Sequence, residues 1–145
     1  PALLLFQAPP PARICPATDA GLAANLAGWT APGAGFGVNK AVTLPVDDLS
    51  GLAGIPAGTK PGGAVLIGFR ENTVGRYGVA LDQRGWIDVL PGLSGGEALK
   101  SVAHGHGPEC STIRKIVRFD LQPGVYRLYV TGLDKPVAKV MLVAD

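Results

Sequence analysis

Both histidines of the chain and one of its two cysteines lie within residues 101–113. His104 and His106 are two residues apart, so in an extended segment their imidazoles point to the same side. Cys110 adds a soft ligand, and the glycines at 105 and 107 allow the backbone to fold around an ion. Because imidazole with thiolate suits copper or zinc, this segment is the candidate metal site of the chain.

A third or fourth ligand decides whether this segment binds a metal. A structural zinc site takes four protein ligands and a catalytic site usually three. Glu109, Asp88 and Glu97 are the acids that we consider as the missing ligand, with Glu109 or Asp88 preferred. A disulfide at Cys110 would remove the thiolate. The alternative is that no specific metal is bound and that His104 and His106 face solvent or bond to backbone carbonyls.

Cys15 and Cys110 are just sufficient for one internal bridge. The chain starts at Pro1 without an initiator Met, which favours a removed secretory signal and a secreted or periplasmic location. Pairing is the default in such an oxidising compartment, and loop entropy would contribute about 4 to 5 kcal/mol. We therefore expect a Cys15–Cys110 disulfide, with free thiols or a metal-bound Cys110 as the alternatives.

Two aromatic positions are candidates for ligand contact. Trp86 precedes Asp88 by two residues in a strand pattern, so the two share one face. Asp88 is either a tuned acid or, as an ordinary surface group, a partner of Lys115 or Arg114. Alternation along 125–130 places Tyr126 in the core and Tyr129 outside, so Tyr129 and Trp86 are the predicted contact residues of a sugar-binding platform.

The remainder of the chain has a β-rich pattern. Gly and Pro make up 21 and 13 of the 145 residues, yet 47% are hydrophobic, which favours many short elements joined by tight turns. A short helix is predicted over 19–28 with Asp19 as its N-cap, and Pro45 places the strand at 41–46 at a sheet edge or at the end of a strand. Further strands are predicted at 3–7, 64–69, 76–81, 86–90, 113–121, 125–130 and 137–143. The Gln122-Pro-Gly124 turn predicts a hairpin between the strands at 113–121 and 125–130.

These elements predict one all-β domain over residues 1–145, in which an irregular segment 1–40 packs on a single antiparallel β-sandwich. Seven to nine short strands and at most one short helix near the N-terminus are expected, in a jelly-roll or immunoglobulin-like style. The terminal strand at 137–143 is apolar on nearly every position, which indicates that both its faces are covered.

Charge and motif content exclude several functions. The net charge is only +2 and the basic residues are scattered along the sequence, so no nucleic-acid partner is expected. No stretch approaches the roughly 20 apolar residues of a membrane span. Nucleophile elbows, zinc-protease motifs and phosphate-binding glycine loops do not occur in the sequence.

The runs at 77–89, 100–110 and 113–124 resemble a group of short exported proteobacterial proteins of uncharacterised function, some of which are described as homogentisate 1,2-dioxygenases. The resemblance covers residues 74–143. It implies export and a β-rich fold. A non-haem iron dioxygenase uses two histidines and a carboxylate, which the resemblance would assign to His104, His106 and either Glu109 or Asp88.

The function predicted from the sequence is a secreted or periplasmic binding or structural module without catalytic activity. In one version it is an accessory subunit of an envelope assembly, with a protein partner or self-association. The alternatives are a copper, zinc or non-haem iron protein that uses His104 and His106, and a carbohydrate-binding module that takes a polysaccharide.

Overall fold

The computed structural model describes Cys15 and residues 17–48 and 61–145. The strand predicted at 3–7 and most of the N-terminal segment before the helix lie outside the described residues. The described chain confirms an all-β fold of two antiparallel sheets with one short helix. The elements are a 3-10 helix Ala24–Thr30 and nine strands, β1 Ala41–Pro45, β2 Asp47–Asp48, β3 Gly63–Glu71, β4 Gly75–Leu81, β5 Trp86–Pro91, β6 Ala103–Gly105, β7 Lys115–Leu121, β8 Gly124–Leu133 and β9 Val137–Ala144.

The strands form a five-stranded sheet in the order β1-β9-β4-β7-β6 and a four-stranded sheet in the order β2-β3-β8-β5. Consecutive strands mostly belong to opposite sheets, so the chain crosses the sandwich at nearly every turn. As a result β5 and β6, which the segment 92–102 joins, are edge strands of different sheets. As predicted from Pro45, β1 is also an edge strand.

The predicted hairpin between 113–121 and 125–130 is wrong. β7 pairs with β4 and β6, whereas β8 pairs with β3 and β5, so the turn at 122–123 is a crossover between sheets. The hydroxyl of Tyr126 donates to the carbonyl of Gln122 (2.5 Å), and the hydroxyl of Tyr77 donates to the carbonyl of Thr73 (2.6 Å) at the β3–β4 crossover. Each tyrosine thus ties a crossover to the strand that follows it, as tyrosine corners do in other sandwiches.

Two apolar clusters lie on opposite faces of the five-stranded sheet. The larger fills the space between the sheets, and the smaller lies beneath the helix, where Leu26 and Trp29 pack on Ala80 and Met141. β9 contributes alternate residues to both clusters, which confirms that its two faces are covered.

The helix differs from the one predicted over 19–28. It is a 3-10 helix that begins at Ala24, because Asp19 and Gly21 adopt left-handed backbone conformations (φ 60° and 70°) that interrupt an α-helix. The carboxylate of Asp19 therefore does not cap a helix and instead accepts hydrogen bonds from Thr112. Among the described residues, no helix is both long and apolar enough to span a membrane.

Candidate binding site at the β5–β6 edge

A disulfide between Cys15 and Cys110 confirms the predicted pairing, with an S–S distance of 2.08 Å. It attaches the N-terminal segment to the loop between β6 and β7. At Gly107 this loop approaches itself closely, since a Cβ there would collide with the carbonyl oxygen of Ile113. We use this close approach to divide residues 101–113 into an open half, 101–107, and an anchored half, 108–113.

Hydrogen bonds hold the anchored half to the N-terminal segment. The amide of Asp19 donates to the carbonyl of Cys110 (2.8 Å), and the amide and hydroxyl of Thr112 both donate to the Asp19 carboxylate (2.6 Å each). The indole Nε1 of Trp29, which is fully buried, donates to the Thr112 hydroxyl (2.9 Å). The disulfide, one carboxylate and one indole therefore fix this half from three directions.

The open half lies at the edge of the five-stranded sheet. In β6, His104 is paired with Val117 of β7, and paired residues present their side chains to the same face. Because Val117 belongs to the cluster between the sheets, His104 faces the gap that separates β6 from β5. This gap is a cleft of about 220 Å³, which we name the edge cleft; it is lined by Trp86, Ile87, Ser101, His104, Lys115 and Val117.

A second concavity of about 240 Å³ shares His104 and Lys115 with the edge cleft. We name it the basic hollow; it is lined by Arg84, His104, Gly105, His106, Arg114 and Lys115. Within the described part of the chain, the side chains of Arg84 and Arg114 make neither an ion pair nor a hydrogen bond. The Lys115 Nζ donates to the carbonyl of Gly85 (2.8 Å), so it too has no acidic partner.

The pKa values of two side chains in this region, Lys115 and Asp88, are shifted from their ordinary values. Burial lowers the pKa of the Lys115 ammonium, and the positive charge of Arg114 lowers it further. Burial raises the pKa of the Asp88 carboxyl, while a hydrogen bond from the Trp86 side chain acts in the opposite direction. The predicted pairing of Asp88 with Lys115 or Arg114 is therefore wrong: Asp88 bonds to the indole and Lys115 to a backbone carbonyl.

The structure brings His104 and His106 to one hollow, but it does not complete the predicted metal set. Cys110 is in the disulfide, and no cluster of three or more His, Cys, Asp or Glu side chains able to hold a metal occurs among residues 17–48 and 61–145. Neither Asp88 nor Glu109 joins the histidines. Three cationic side chains line the same hollow and repel a further cation, so the residues present do not fit the iron centre that the resemblance implies.

The two predicted aromatic contact residues have opposite environments. Trp86 is 49% exposed at the edge cleft, as a contact residue requires. Tyr129 lies outside both apolar clusters, on the other face of β8 from Tyr126, but it is only 1% exposed and is not accessible for contact. Its prediction as an outward contact residue is wrong, because the outer face of β8 is buried along Arg127, Tyr129 and Thr131.

Sequence reasoning missed Arg84 and Arg114 as site residues. They are thirty positions apart, and only the pairing of Leu81 with Lys115 in β4 and β7 brings the segments next to them together. Three of the thirteen basic residues, which look scattered along the sequence, therefore meet at this edge. The adjacent basic residues Arg114 and Lys115, a few positions after the histidines, were the available signal.

Known proteins were compared with the chain in three ways. No protein-family model, no curated protein and no solved structure matches it. The geometry and charge of the edge cleft and the basic hollow are the observations from which a function can be proposed.

Proposed function

We propose that the protein is an exported carbohydrate-binding module without catalytic activity, and that it takes its ligand at the edge cleft and the basic hollow. One observation carries the proposal: an exposed indole and three cationic side chains without ion pairs face adjoining concave surfaces. Tryptophan and arginine side chains are enriched among the residues that contribute most to recognition.

The contacts in the cleft favour binding over catalysis. A nucleophilic site needs a hydroxyl or thiol hydrogen-bonded to a base that a third group orients. Ser101 and His104 both line the edge cleft, but no hydrogen bond joins them, and Asp88 is engaged by Trp86. The groups that face the cleft are arranged to contact a ligand, and none is paired to activate a nucleophile.

Export is supported by the disulfide, since such bridges form and persist in oxidising compartments. The version in which the protein is an accessory subunit of an envelope assembly stays a prediction. It calls for a contiguous apolar surface. The exposed large apolar side chains of the described chain lie on β3, β5 and β9 and in the connections before β4 and before β6. They are Leu66, Val74, Trp86, Leu93, Val102 and Val137.

Intrinsic fluorescence tests the proposal, because the two tryptophans are so different. Trp29 is buried, so a ligand at the edge cleft should change the emission of Trp86 alone. We would titrate the protein with cello-oligosaccharide, galactan, polygalacturonate and dextran sulfate. At least one should shift the emission and bind saturably, and Trp86→Ala should abolish that binding.

Val74→Ala is the matched control, since Val74 is also exposed but precedes β4 at the opposite end of the sheet. It should bind as the wild type does. The proposal is contradicted if no saccharide binds, or if Trp86→Ala retains wild-type affinity.

A further inference from the structure

We propose that the ligand is an anionic saccharide, in which a carboxylate or sulfate group is bound in the basic hollow while a sugar ring stacks on Trp86. This inference rests on the proposed function and specifies the chemistry of its ligand. It is supported by the local charge, the repulsion among the cations, the geometry of the indole and the extent of the basic surface.

The local charge exceeds that of the whole protein. Arg84, Arg114 and Lys115 carry three positive charges at one hollow, whereas the formal net charge of the chain is +2. Elsewhere on the described chain, Arg76 pairs with Asp120 and Arg118 with Asp145. Arg127 donates to backbone carbonyls, and Arg70 has no ion pair within the residues that the structure describes. A guanidinium presents parallel N–H donors that match the two oxygens of a carboxylate or sulfate, so an acidic substituent supplies the partners that the hollow lacks.

No ion pair among the described residues neutralises the cations of the hollow: Asp82 and Asp134 line an adjoining concavity with Arg84 and Arg114 but pair with neither. Lys115 loses part of its hydration through burial, and its Nζ donates to the carbonyl of Gly85. The neighbouring charge of Arg114 lowers the pKa of Lys115 further. An anion between these groups converts repulsion into attraction, so binding is coupled to relief of an existing unfavourable interaction.

The indole favours a sugar ring next to that anion. Trp86 is held from one edge by its hydrogen bond to Asp88, and half of its surface remains exposed for stacking. The carboxylate beside the ring accepts hydrogen bonds, which sugar hydroxyl groups donate. A DNA phosphate backbone carries no hydroxyl group that could donate to this carboxylate.

The extent of the basic surface also favours a saccharide over a nucleic acid. Single-stranded nucleic acids are bound by grooves that follow several phosphates, with successive aromatic side chains for the bases. Here the unpaired cations converge on one hollow of about 240 Å³, and one tryptophan faces the adjoining cleft. This arrangement fits one acidic group attached to one stacked ring.

Isothermal titration calorimetry with matched oligosaccharides tests the inference. The probes are tetragalacturonate, a sulfated galactotetraose and neutral galactotetraose, measured at about 50 mM and about 500 mM NaCl. At least one acidic probe should bind about tenfold more tightly than the neutral one at low salt, and the preference should shrink at high salt because screening weakens charge interactions. Comparison of the carboxylated and sulfated probes identifies the acidic group.

Charge-removing variants locate the anion. Arg84→Gln and Arg114→Gln should each weaken the preferred acidic probe about fivefold to tenfold and leave the neutral probe unchanged. Arg70→Gln removes the same charge from an exposed position at the far end of β3 and should have no effect. An equal loss in Arg70→Gln would overturn the inference, because it would indicate attraction to overall charge.

The remaining outcomes separate this inference from the proposed function. Equal binding of neutral and acidic probes, with loss in Trp86→Ala, overturns the anionic ligand and leaves the binding module in place. Tighter binding of an oligothymidylate of eight nucleotides than of any saccharide overturns it in favour of nucleic acid. Absence of binding by every probe overturns both proposals.

Discussion

The anchored and open halves of residues 101–113 show how one loop can serve two purposes. The anchored half is fixed by the Cys15–Cys110 disulfide and by bonds from Thr112 to Asp19 and from Trp29 to Thr112. The open half presents His104 and His106 to a hollow whose cations have no acidic partner among the described residues. Bonded groups in the anchored half stabilise the fold, whereas the open half borders cations that are available to a ligand.

Each half also has its own tryptophan. Trp29 is completely buried and lies beneath the ammonium of Lys139, 4.8 Å from the ring centroid, whereas Trp86 is 49% exposed. The same residue type thus contributes packing at one end of the loop and accessible surface at the other. If this division is correct, substitutions in the anchored half and at Trp29 will lower the stability of the fold. Substitutions beside the open half, such as at Trp86, will weaken ligand binding instead.

The largest effect on stability is expected from the disulfide. Replacing both cysteines, Cys15→Ser with Cys110→Ser, should lower the free energy of unfolding by about 4 to 5 kcal/mol, because the bridge closes a loop of 95 residues in the unfolded chain. Urea unfolding of the variant and the wild type measures the change. A loss below about 1 kcal/mol would show that the anchored half is held without the bridge.

The same substitution at each of the two tryptophans tests the division between the anchored half and the open half. Trp29→Ala should cost about 3 to 5 kcal/mol, since it empties a buried site and removes the hydrogen bond to Thr112. Trp86→Ala should change stability by about 0.5 kcal/mol or less while it abolishes ligand binding. Thermal unfolding and calorimetric titration of both variants provide the comparison, and a large destabilisation by Trp86→Ala would contradict it.

A smaller effect is expected at Asp19. Asp19→Ala should cost about 2 kcal/mol, because the amide and hydroxyl of Thr112 lose a charged acceptor. Asp19→Asn should cost less, as it keeps one carbonyl oxygen and asparagine tolerates the left-handed backbone at this position. Asp134→Asn is the control for loss of an exposed negative charge. Equal unfolding midpoints for all three variants would argue against anchoring by Asp19.

The smallest predicted effect is the contribution of Asp88, which bonds to Trp86 at the edge cleft, to the pH dependence of stability. Burial raises the pKa of Asp88 in the folded protein above its value in the unfolded chain. The folded state therefore binds the extra proton between these two values, and its stability falls as pH rises through that interval. Asp88→Asn should remove this fall while its amide oxygen still accepts from Trp86. The urea unfolding midpoints of the wild type and of Asp88→Asn, plotted against pH in the acidic range, should differ in slope. Parallel plots would contradict a raised pKa of Asp88 in the folded state.

Much of the fold could be predicted from the sequence, since strands with one buried face alternate every two residues. The patterns at 64–69, 76–81 and 137–143 correspond to β3, β4 and β9. Strand pairing was harder to predict from the sequence, because a turn such as Gln122-Pro-Gly124 is compatible both with a hairpin and with a crossover between sheets. The helix differed because Asp19, which resembles an N-cap in the sequence, has a distant partner in Thr112.

The residues of the candidate site were only partly predictable, because strand pairing brings some of them together. His104 and Trp86 were identified from residue type and spacing, and both line the edge cleft. Arg84 and Arg114 join them through pairing of β4 with β7, which local periodicity does not specify. Tyr129 has the alternation expected of an outward residue, but alternation gives the face of a strand and not whether that face is covered.

The most direct test of the division between the halves is NMR mapping of the backbone amides and tryptophan indoles during titration with tetragalacturonate. The account predicts saturable shifts at the Trp86 indole and at the amides of the basic hollow, His104, His106 and Arg114, with no change at the Trp29 indole or at Asp19 and Thr112. Shifts concentrated on the anchored half, or the absence of saturable shifts at Trp86 and the basic hollow, would contradict it.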